Sequence, residues 1–454
     1  MIEIAPDRIE AALGGTVAAT GSSAGSRPER AVIDSRECRP GDLFFGLSGA
    51  KTDGGRFAAK AVELGAWGVV VSRSRARELA GADAWVFGVD DPLAALQALA
   101  RAWRRELACP AIGVTGSTGK TSVKDIARAI LPRRVHASPE NFNTEVGMPL
   151  AMLSAPPETE LLVLEMAMRG PGQIEELCAI AEPDVAAITN IGPVHIELLG
   201  SLEAVVAAKA EILHGLGPTG RAVIPAREEA LGPHLRDSLE VLTFGPGGDV
   251  FALSSSVATG RTSALIGTPN GEAEFDFPFA EAYNLTNALC AVAIGSALDL
   301  DPAAMAARTA RIEFSRLRGE RIELPGPIVL LNDCYNANPI AMRAALENLA
   351  ASAGGDDRRV AVLGGMAEIG PESPRFHADI AALARELGIG PLIGVGELAR
   401  DYEPDAWAPD ADAAIAVVAP ELRPRDVVLV KGSRSVGLER LADGIVARLG
   451  EAGG

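Results

Sequence analysis

Apolar residues in the middle of this chain fall into short unbroken runs. From about residue 109 to 315 the runs 112–114, 161–164, 185–188 and 222–224 alternate with stretches of helical character. A strand that is apolar on both faces must be covered on both, so the pattern predicts a doubly wound, mostly parallel sheet between helices. Residues 249–279 switch to an alternating pattern rich in Gly and Ser, which predicts a hairpin-like β insert over one edge of that sheet. An amphipathic helix is expected to follow over 284–298. The runs 328–331, 360–363, 392–395 and 427–430 repeat the strand pattern, with helices such as 341–350 between them. Shorter runs at 69–71 and 85–87, with a helix-like stretch at 57–64, predict a small α/β unit at the start. The expected class is therefore α/β in three domains. These are a small N-terminal domain (1–108), a central P-loop domain with a β insert (109–315) and a C-terminal Rossmann-like domain (316–454).

Bulk properties narrow the functional classes. The 454 residues exceed what a single core organises, and 48% hydrophobic with 22% charged residues is a packed globular composition. The formal charge of −18, with no block of consecutive Lys and Arg, argues against nucleic-acid binding through the phosphate backbone. The first residues lack a basic segment followed by an apolar one, and no apolar run reaches about 18 residues. A cytoplasmic protein without a membrane span is expected. Five scattered cysteines (Cys38, Cys109, Cys178, Cys290 and Cys334), with no Cys-x-x-Cys pair, indicate neither a disulfide framework nor a zinc site.

The strongest chemical signal is Gly-Val-Thr-Gly-Ser-Thr-Gly-Lys-Thr-Ser at 113–122, between a predicted strand and a predicted helix. Gly116 and Gly119 let backbone N–H groups close on phosphate oxygens around Ser117 and Thr118. Lys120 adds a point charge, and Thr121 supplies a hydroxyl for Mg²⁺. Val114 stands where a full Walker A has its first glycine, so this is the shorter form of the loop. ATP is the expected substrate.

Other polar groups gather at predicted strand ends, where ligands of open α/β sheets bind. Glu165 and His195 follow strands of the central region, and Lys209 and Glu211 lie on a helix-like segment. A carboxylate and an imidazole beside a phosphate loop suit Mg²⁺, with His195 the weaker ligand because the ion prefers oxygen. Taken singly, Glu165 is better explained as a solvated strand end and His195 as a helix-capping or hydrogen-bonded histidine, but their shared edge reverses that. Two amide-rich loops, containing Asn141, Asn143 and Thr144 and then Tyr335, Asn336 and Asn338, offer donors and acceptors that suit a sugar, a base edge or a peptide. Turn formation is the alternative for any one asparagine. The loops 364–370 and 431–434 also follow predicted strands.

Together these segments resemble the Mur ligase family over essentially the whole chain. The carriers are Asp-Ser-Arg at 34–36 with Gly-Asp-Leu-Phe-Phe at 41–45, the phosphate loop, Asn-Phe-Asn-Thr-Glu-Val-Gly-Met-Pro at 141–149 and Glu165. Others are Thr-Asn-Ile-Gly-Pro-Val-His at 189–195, Ala-Lys at 208–209, Asp-Cys-Tyr-Asn-Ala-Asn-Pro at 333–339, Val-Leu-Gly-Gly-Met-Ala-Glu-Ile-Gly at 362–370 and Leu-Val-Lys-Gly-Ser-Arg at 429–434. Tyr-Asn-Ala-Asn-Pro is the most specific. It is similar to members that join D-alanyl-D-alanine to UDP-N-acetylmuramoyl-tripeptide, rather than to those adding earlier residues of the stem peptide.

The resemblance implies a cytoplasmic, monomeric ATP- and Mg²⁺-dependent amide ligase. It implies that Asp34, Ser35 and Arg36 hold the uridine diphosphate, that Lys120 and Thr121 hold ATP and Mg²⁺, and that Glu165, His195 and a carbamylated Lys209 complete the metal sites. Asn284 and Asn287 then match adenine-side asparagines, Arg318 the domain-closing arginine and Asp333 the ribose-binding acid. Three positions depart from the family pattern. Leu317 replaces a glycine, leaving Arg316, Arg318 and Arg321 in competition; Gly365 replaces an aspartate; and Tyr283 replaces a histidine.

A carboxylate is a poor electrophile, so the expected reaction passes through an acyl phosphate formed from the γ-phosphoryl of ATP. Three rival readings stand beside it. Another amide ligase of the family, for tripeptide or folylpolyglutamate synthesis, would not explain 335–339. A P-loop nucleotide switch would need neither the 34–36 turn nor the Asn141 loop, and a structural partner with a dead site would not need intact Lys120, Thr121, Glu165 and Lys209.

Overall fold

The computed structural model describes residues 4–21, 26–49, 52–139, 141–258, 260–354 and 357–452. Its elements form the expected α/β class. The central sheet has six parallel strands in the order Glu240–Phe244, Arg221–Pro225, Val185–Ile188, Ala111–Thr115, Leu161–Glu165, Val135–Ala137. The chain leaves Ala111–Thr115 toward one edge and later returns to build toward the other, so the strand order reverses beside the phosphate loop. That reversal opens a crevice beyond the strands' carboxyl ends.

Both faces of this sheet are covered. On one, Ile112, Val114, Val163 and Val185 meet Val123, Ile126, Ala127 and Ile130 of the helix Lys120–Ile130. That helix shows the i, i+3, i+4, i+7 spacing of an inward face. On the other, Leu162, Leu164 and Ala186 share a core with Leu96, Leu99 and Trp103 of the helix Pro92–Leu107. The helix starts at Asp91, whose Oδ1 accepts Leu93 N–H, with Pro92 in the first turn.

Two expectations need correction. The β insert is a three-stranded antiparallel sheet, Phe251–Ala258, Arg261–Thr268 and Gly271–Phe277, rather than a hairpin. It adjoins the edge strand through a Phe244–Val250 bridge and places Phe275 and Phe277 in the core. The helix after it, Ala282–Ser296, is not amphipathic in use. Asn284, Asn287 and every residue from Ala288 to Ser296 are buried, because the helix lies between Lys120–Ile130, the sheet and the insert. Small side chains on several sides permit this, and a Cβ on Gly295 would meet Met305 Sδ at 2.2 Å.

The N-terminal sheet runs Thr16–Ala19, Trp85–Val89, Gly68–Ser72, Leu43–Phe45, Ala31–Val32, with the first strand antiparallel. The C-terminal sheet runs Glu320–Leu324, Ile328–Asn332, Asp426–Lys431, Arg358–Gly364, Leu392–Val395, Ala406–Ala408, again with an antiparallel edge. Its parallel strands carry apolar clusters on both faces, as the unbroken runs require. All five cysteines are buried thiols, and burial raises the pKa of each. No helix among the described residues is long and apolar enough to cross a membrane.

Candidate active site

The strand Ala111–Thr115 delivers the chain into a turn that only glycines can make. Gly116 has φ +148° and a Cβ there would meet Thr189 Oγ1 at 1.9 Å; Gly119 has φ +78° and a Cβ would meet Asn287 Oδ1 at 2.4 Å. The helix Lys120–Ile130 then starts at once, so its positive N-terminal end faces the turn. The turn is braced by the next loop: Asn190 O and Oδ1 accept the N–H groups of Ser117 and Thr118 (3.1 and 2.9 Å), and Ser117 Oγ–H donates to Gly192 O (3.0 Å). Ser117 and Thr118 line the cavity, but these groups are committed to shaping it.

This cradle opens into a cavity of about 960 Å³ between the central and C-terminal sheets. Thr121 Oγ–H donates to Glu165 Oε2 (2.8 Å), Asn143 Nδ2 to Glu165 Oε1 (2.8 Å) and Arg318 Nη2 to Thr121 Oγ1 (3.0 Å). Of Arg316, Arg318 and Arg321, Arg318 is the one that lines the cavity. Its guanidinium also lies 3.9 Å from the centre of the Tyr335 ring, a stacking worth roughly 1 kcal/mol. Leu317, where glycine was expected, does adopt a left-handed conformation (φ +64°), which costs a bulky residue about 1 kcal/mol. Lys120 Nζ donates to Gly116 O (2.8 Å); burial lowers its pKa, Glu165 opposes that, and Arg318 adds to it.

His195 Nδ1–H donates to Glu368 Oε2 (2.6 Å) across the boundary between the central and C-terminal sheets. Burial lowers the imidazole pKa despite this carboxylate. With Nδ1 protonated, the neutral ring keeps Nε2 as the atom that can accept or ligate. Lys209 is 2% exposed on the helix Leu202–His214. Burial first, and the Lys120 charge second, put its pKa well below the ordinary lysine range. Lys209 does not line the cavity, but it lies close enough to His195 that a protonated amine there would lower the imidazole pKa further.

On the C-terminal side Asp333 pairs with Lys431 (2.7 Å), whose Nζ also donates to Asn336 O (3.0 Å). Lys431 is 3% exposed, so removing Asp333 strands a buried charge, typically about 3–5 kcal/mol. Tyr335, Asn336 and Asn338 line the cavity, but Asn338 is in part a structural residue. Its Oδ1 accepts Ala341 N–H (2.9 Å) and caps the helix Pro339–Ser352. Asn336 Oδ1 accepts Ala337 N–H (2.9 Å).

Asn141, Asn143 and Thr144 also line the cavity. Thr144 Oγ1 accepts Gly147 N–H (3.3 Å) in the turn into the helix Gly147–Leu153. Asn287 lines it too, with its Nδ2 donating to Asn284 Oδ1 (3.2 Å), while Asn284 sits one layer behind. Tyr283 is a half-buried lining residue whose hydroxyl pKa desolvation raises. Gly365 fills a place where a Cβ would meet Leu398 Cβ at 2.4 Å, so the aspartate of the family pattern has no room.

Asp34, Ser35 and Arg36 do not belong to this cavity. They form a surface turn after Ala31–Val32, in which Asp34 Oδ1 accepts the Arg36 N–H (2.9 Å) and its carboxylate pairs with the Arg36 guanidinium. The guanidinium holds Asp34 at a pKa of about 2.

The glycine cradle suits a polyphosphate, since side chains on either glycine would fill it. For Mg²⁺ the nearby donors are the hard oxygens of Thr121 and Glu165. Among the described residues no three His, Cys, Asp or Glu side chains converge to hold a metal alone. Such an ion would rest on these oxygens and on phosphate oxygens. Sequence reasoning assigned no role to Glu368, Lys431 or Asn190, although each lies in a segment already marked as family-like.

Three family models cover most of the chain: Mur ligase family, catalytic domain (residues 31–104), Mur ligase middle domain (114–295) and Mur ligase, glutamate ligase domain (317–434). UDP-N-acetylmuramoyl-tripeptide–D-alanyl-D-alanine ligase of Synechocystis sp. is 35% identical over 91% of each chain. The ligase of that name from Bacillus subtilis is 32% identical over 94% of this chain and 96% of its own. Among solved structures, MurF from Acinetobacter baumannii is 27% identical, covering 97% of this chain and 98% of that one with a TM-score of 0.86. MurF ligase from Thermotoga maritima in complex with ADP is 28% identical, covering 93% and 98% with a TM-score of 0.82. Likeness along nearly the whole length, joined to a glycine cradle and an arginine reaching it from beside the C-terminal sheet, leads to one conclusion: the chain belongs to the Mur ligase family.

Proposed function

We propose that this chain is an ATP-dependent amide ligase that joins D-alanyl-D-alanine to UDP-N-acetylmuramoyl-tripeptide, forming ADP and phosphate, and that it acts in the cytoplasm in peptidoglycan precursor synthesis. The observation that carries this reading is a single cavity lined by the phosphate loop, the Thr121–Glu165 pair, Arg318 and the 335–338 loop. The names of the relatives support the choice of substrates.

The cradle and the helix N-terminus bind the ATP phosphates, with Lys120 on the transferring group. A carboxylate oxygen of the tripeptide attacks the γ-phosphorus and ADP leaves. The amine of D-alanyl-D-alanine then attacks the acyl carbon, phosphate leaves, and the amine loses a proton. Arg318 and Lys120 neutralise charge that develops on the transferring oxygens. Thr121, Glu165, His195 and a carbamylated Lys209 would hold Mg²⁺, which when bound neutralises phosphate oxygens. The lowered pKa of Lys209 supports carbamylation, because the neutral amine is the form that adds CO₂ and then releases a proton. Asn287, backed by Asn284, reads adenine, and Asp333 with Lys431 takes the ribose. Asn141, Asn143, Thr144, Tyr335, Asn336 and the remaining amide of Asn338 position the peptide substrates, while Asp34, Ser35 and Arg36 hold the uridine diphosphate. These roles divide over units 1–108, 109–315 and 316–454.

Phosphate release tests the reading, measured with the lysine or the diaminopimelate form of the tripeptide precursor, with and without D-alanyl-D-alanine. Release is expected to require both substrates. Rapid ATP turnover with neither present would overturn the ligase assignment.

A further inference from the structure

One turn after Thr121, the same helix carries a charge for which the reaction as described has no use. Asp125 is 3% exposed, and its Oδ2 accepts both the N–H and the Oγ–H of Ser315 (2.8 Å each). Its Oδ1 lies 3.3 Å from Nζ of Lys124, itself buried and donating to Ser138 O (2.9 Å). A buried ion pair is a weak source of stability, since well-packed apolar residues serve as well. The pair therefore calls for a reason other than packing. Ser315 lies in the segment that leaves the central domain, three residues before Arg318. Between them Leu317 turns the chain with φ +64° and its carbonyl accepts Tyr335 N–H (3.2 Å). The helix thus grips the connecting segment twice, at Ser315 through residue 125 and at Arg318 through residue 121.

We propose that Asp125 is a positioning residue for Arg318: it clamps the fixed end of the connecting segment to the phosphate-loop helix, so that Arg318 reaches the reacting phosphoryl group in one geometry. This rests on the reading of Arg318 as the group that neutralises charge there. A single-point grip at Thr121 would let the guanidinium pivot with the C-terminal domain. The second grip, one helical turn away, removes that freedom. Lys124 compensates the charge of the clamp at 3.3 Å, and two donors on one carboxylate oxygen make a stronger hold than a neutral acceptor would.

The test uses the full-length enzyme and the substitutions Ser315→Ala, Ser315→Thr and Asp125→Ala, each alone and combined with Arg318→Ala. Misplacing Arg318 is expected to lower kcat by about tenfold or more for Ser315→Ala and for Asp125→Ala, with KM for the tripeptide precursor unchanged. Ser315→Thr keeps the hydroxyl and is expected to retain the wild-type rate. In the Arg318→Ala background neither substitution should cost more than about twofold, because there is no guanidinium left to misplace. Equal losses with and without Arg318, or a Ser315→Ala enzyme with wild-type kcat, would overturn the proposal. If melting shows that Asp125→Ala fails to fold with Lys124 left unpaired, the Ser315 pair of variants decides alone. Failure of the ligase reading looks different, since the wild-type enzyme itself would then form no product.

Discussion

The phosphate-loop wall and the 34–36 turn are both rich in charge, but they are built in opposite ways. At the wall, Asn143, Glu165, Thr121 and Arg318 form a chain of hydrogen bonds, Lys120 is held on Gly116 O beside it, and a buried helix backs them. At the turn, Asp34 and Arg36 satisfy each other on the surface, the arginine 88% exposed. Groups fixed before the substrate arrives can stabilise charge that appears during reaction without reorganising. A surface pair would have to be opened by its ligand and, on the proposed function, would contribute binding to a remote part of the substrate. Damage to the wall should therefore register in the chemical step, and damage to the turn in substrate affinity.

Lys120→Ala should give the largest effect, a fall in kcat of about a thousandfold measured by phosphate release at saturating substrates. Near-normal turnover would remove the wall from the chemistry and erase the contrast. Lys209→Ala comes next, with an expected loss of about a hundredfold in a folded enzyme. Formate should restore part of that rate by supplying the oxygen ligand that a carbamate provides; an alanine variant with full activity would show that a buried amine suffices as packing. Gly119→Ala sharpens the comparison without touching a charge. Its methyl group would enter the space of Asn287 Oδ1 at a φ of +78°, so KM for ATP should rise about tenfold. Asp34→Ala should have the smallest effect, a several-fold higher KM for the nucleotide precursor with kcat and KM for ATP unchanged. A shift in KM for ATP instead would place the uridine diphosphate elsewhere.

Strands were legible because the signal is local. The run at 161–164 belongs to Leu161–Glu165 and that at 222–224 to Arg221–Pro225, each buried in its central part between two helical layers. The β insert was read one strand short because Pro269-Asn270 makes a two-residue loop inside one alternating run, with Thr268 paired to Gly271. Amphipathicity failed for Ala282–Ser296 because its asparagines, Asn284 and Asn287, are buried beside the site rather than turned to solvent. Asn338 was legible in a way not used, since Asn before Pro at the head of an apolar helix is a cap signal. The partnerships of His195 with Glu368 and of Asp125 with Ser315 span 173 and 190 residues. Only the folded chain makes such pairs neighbours, and no spacing rule reaches that far.

The five buried thiols have a practical consequence for following domain motion. A thiol-reactive dye is attacked by the thiolate, and burial suppresses that form at every native cysteine. A fluorophore pair could be attached to two introduced surface cysteines, one on each side of the cavity, in an otherwise unaltered sequence. The distance between central and C-terminal domains could then be read in solution, with the native side chains serving as a silent background.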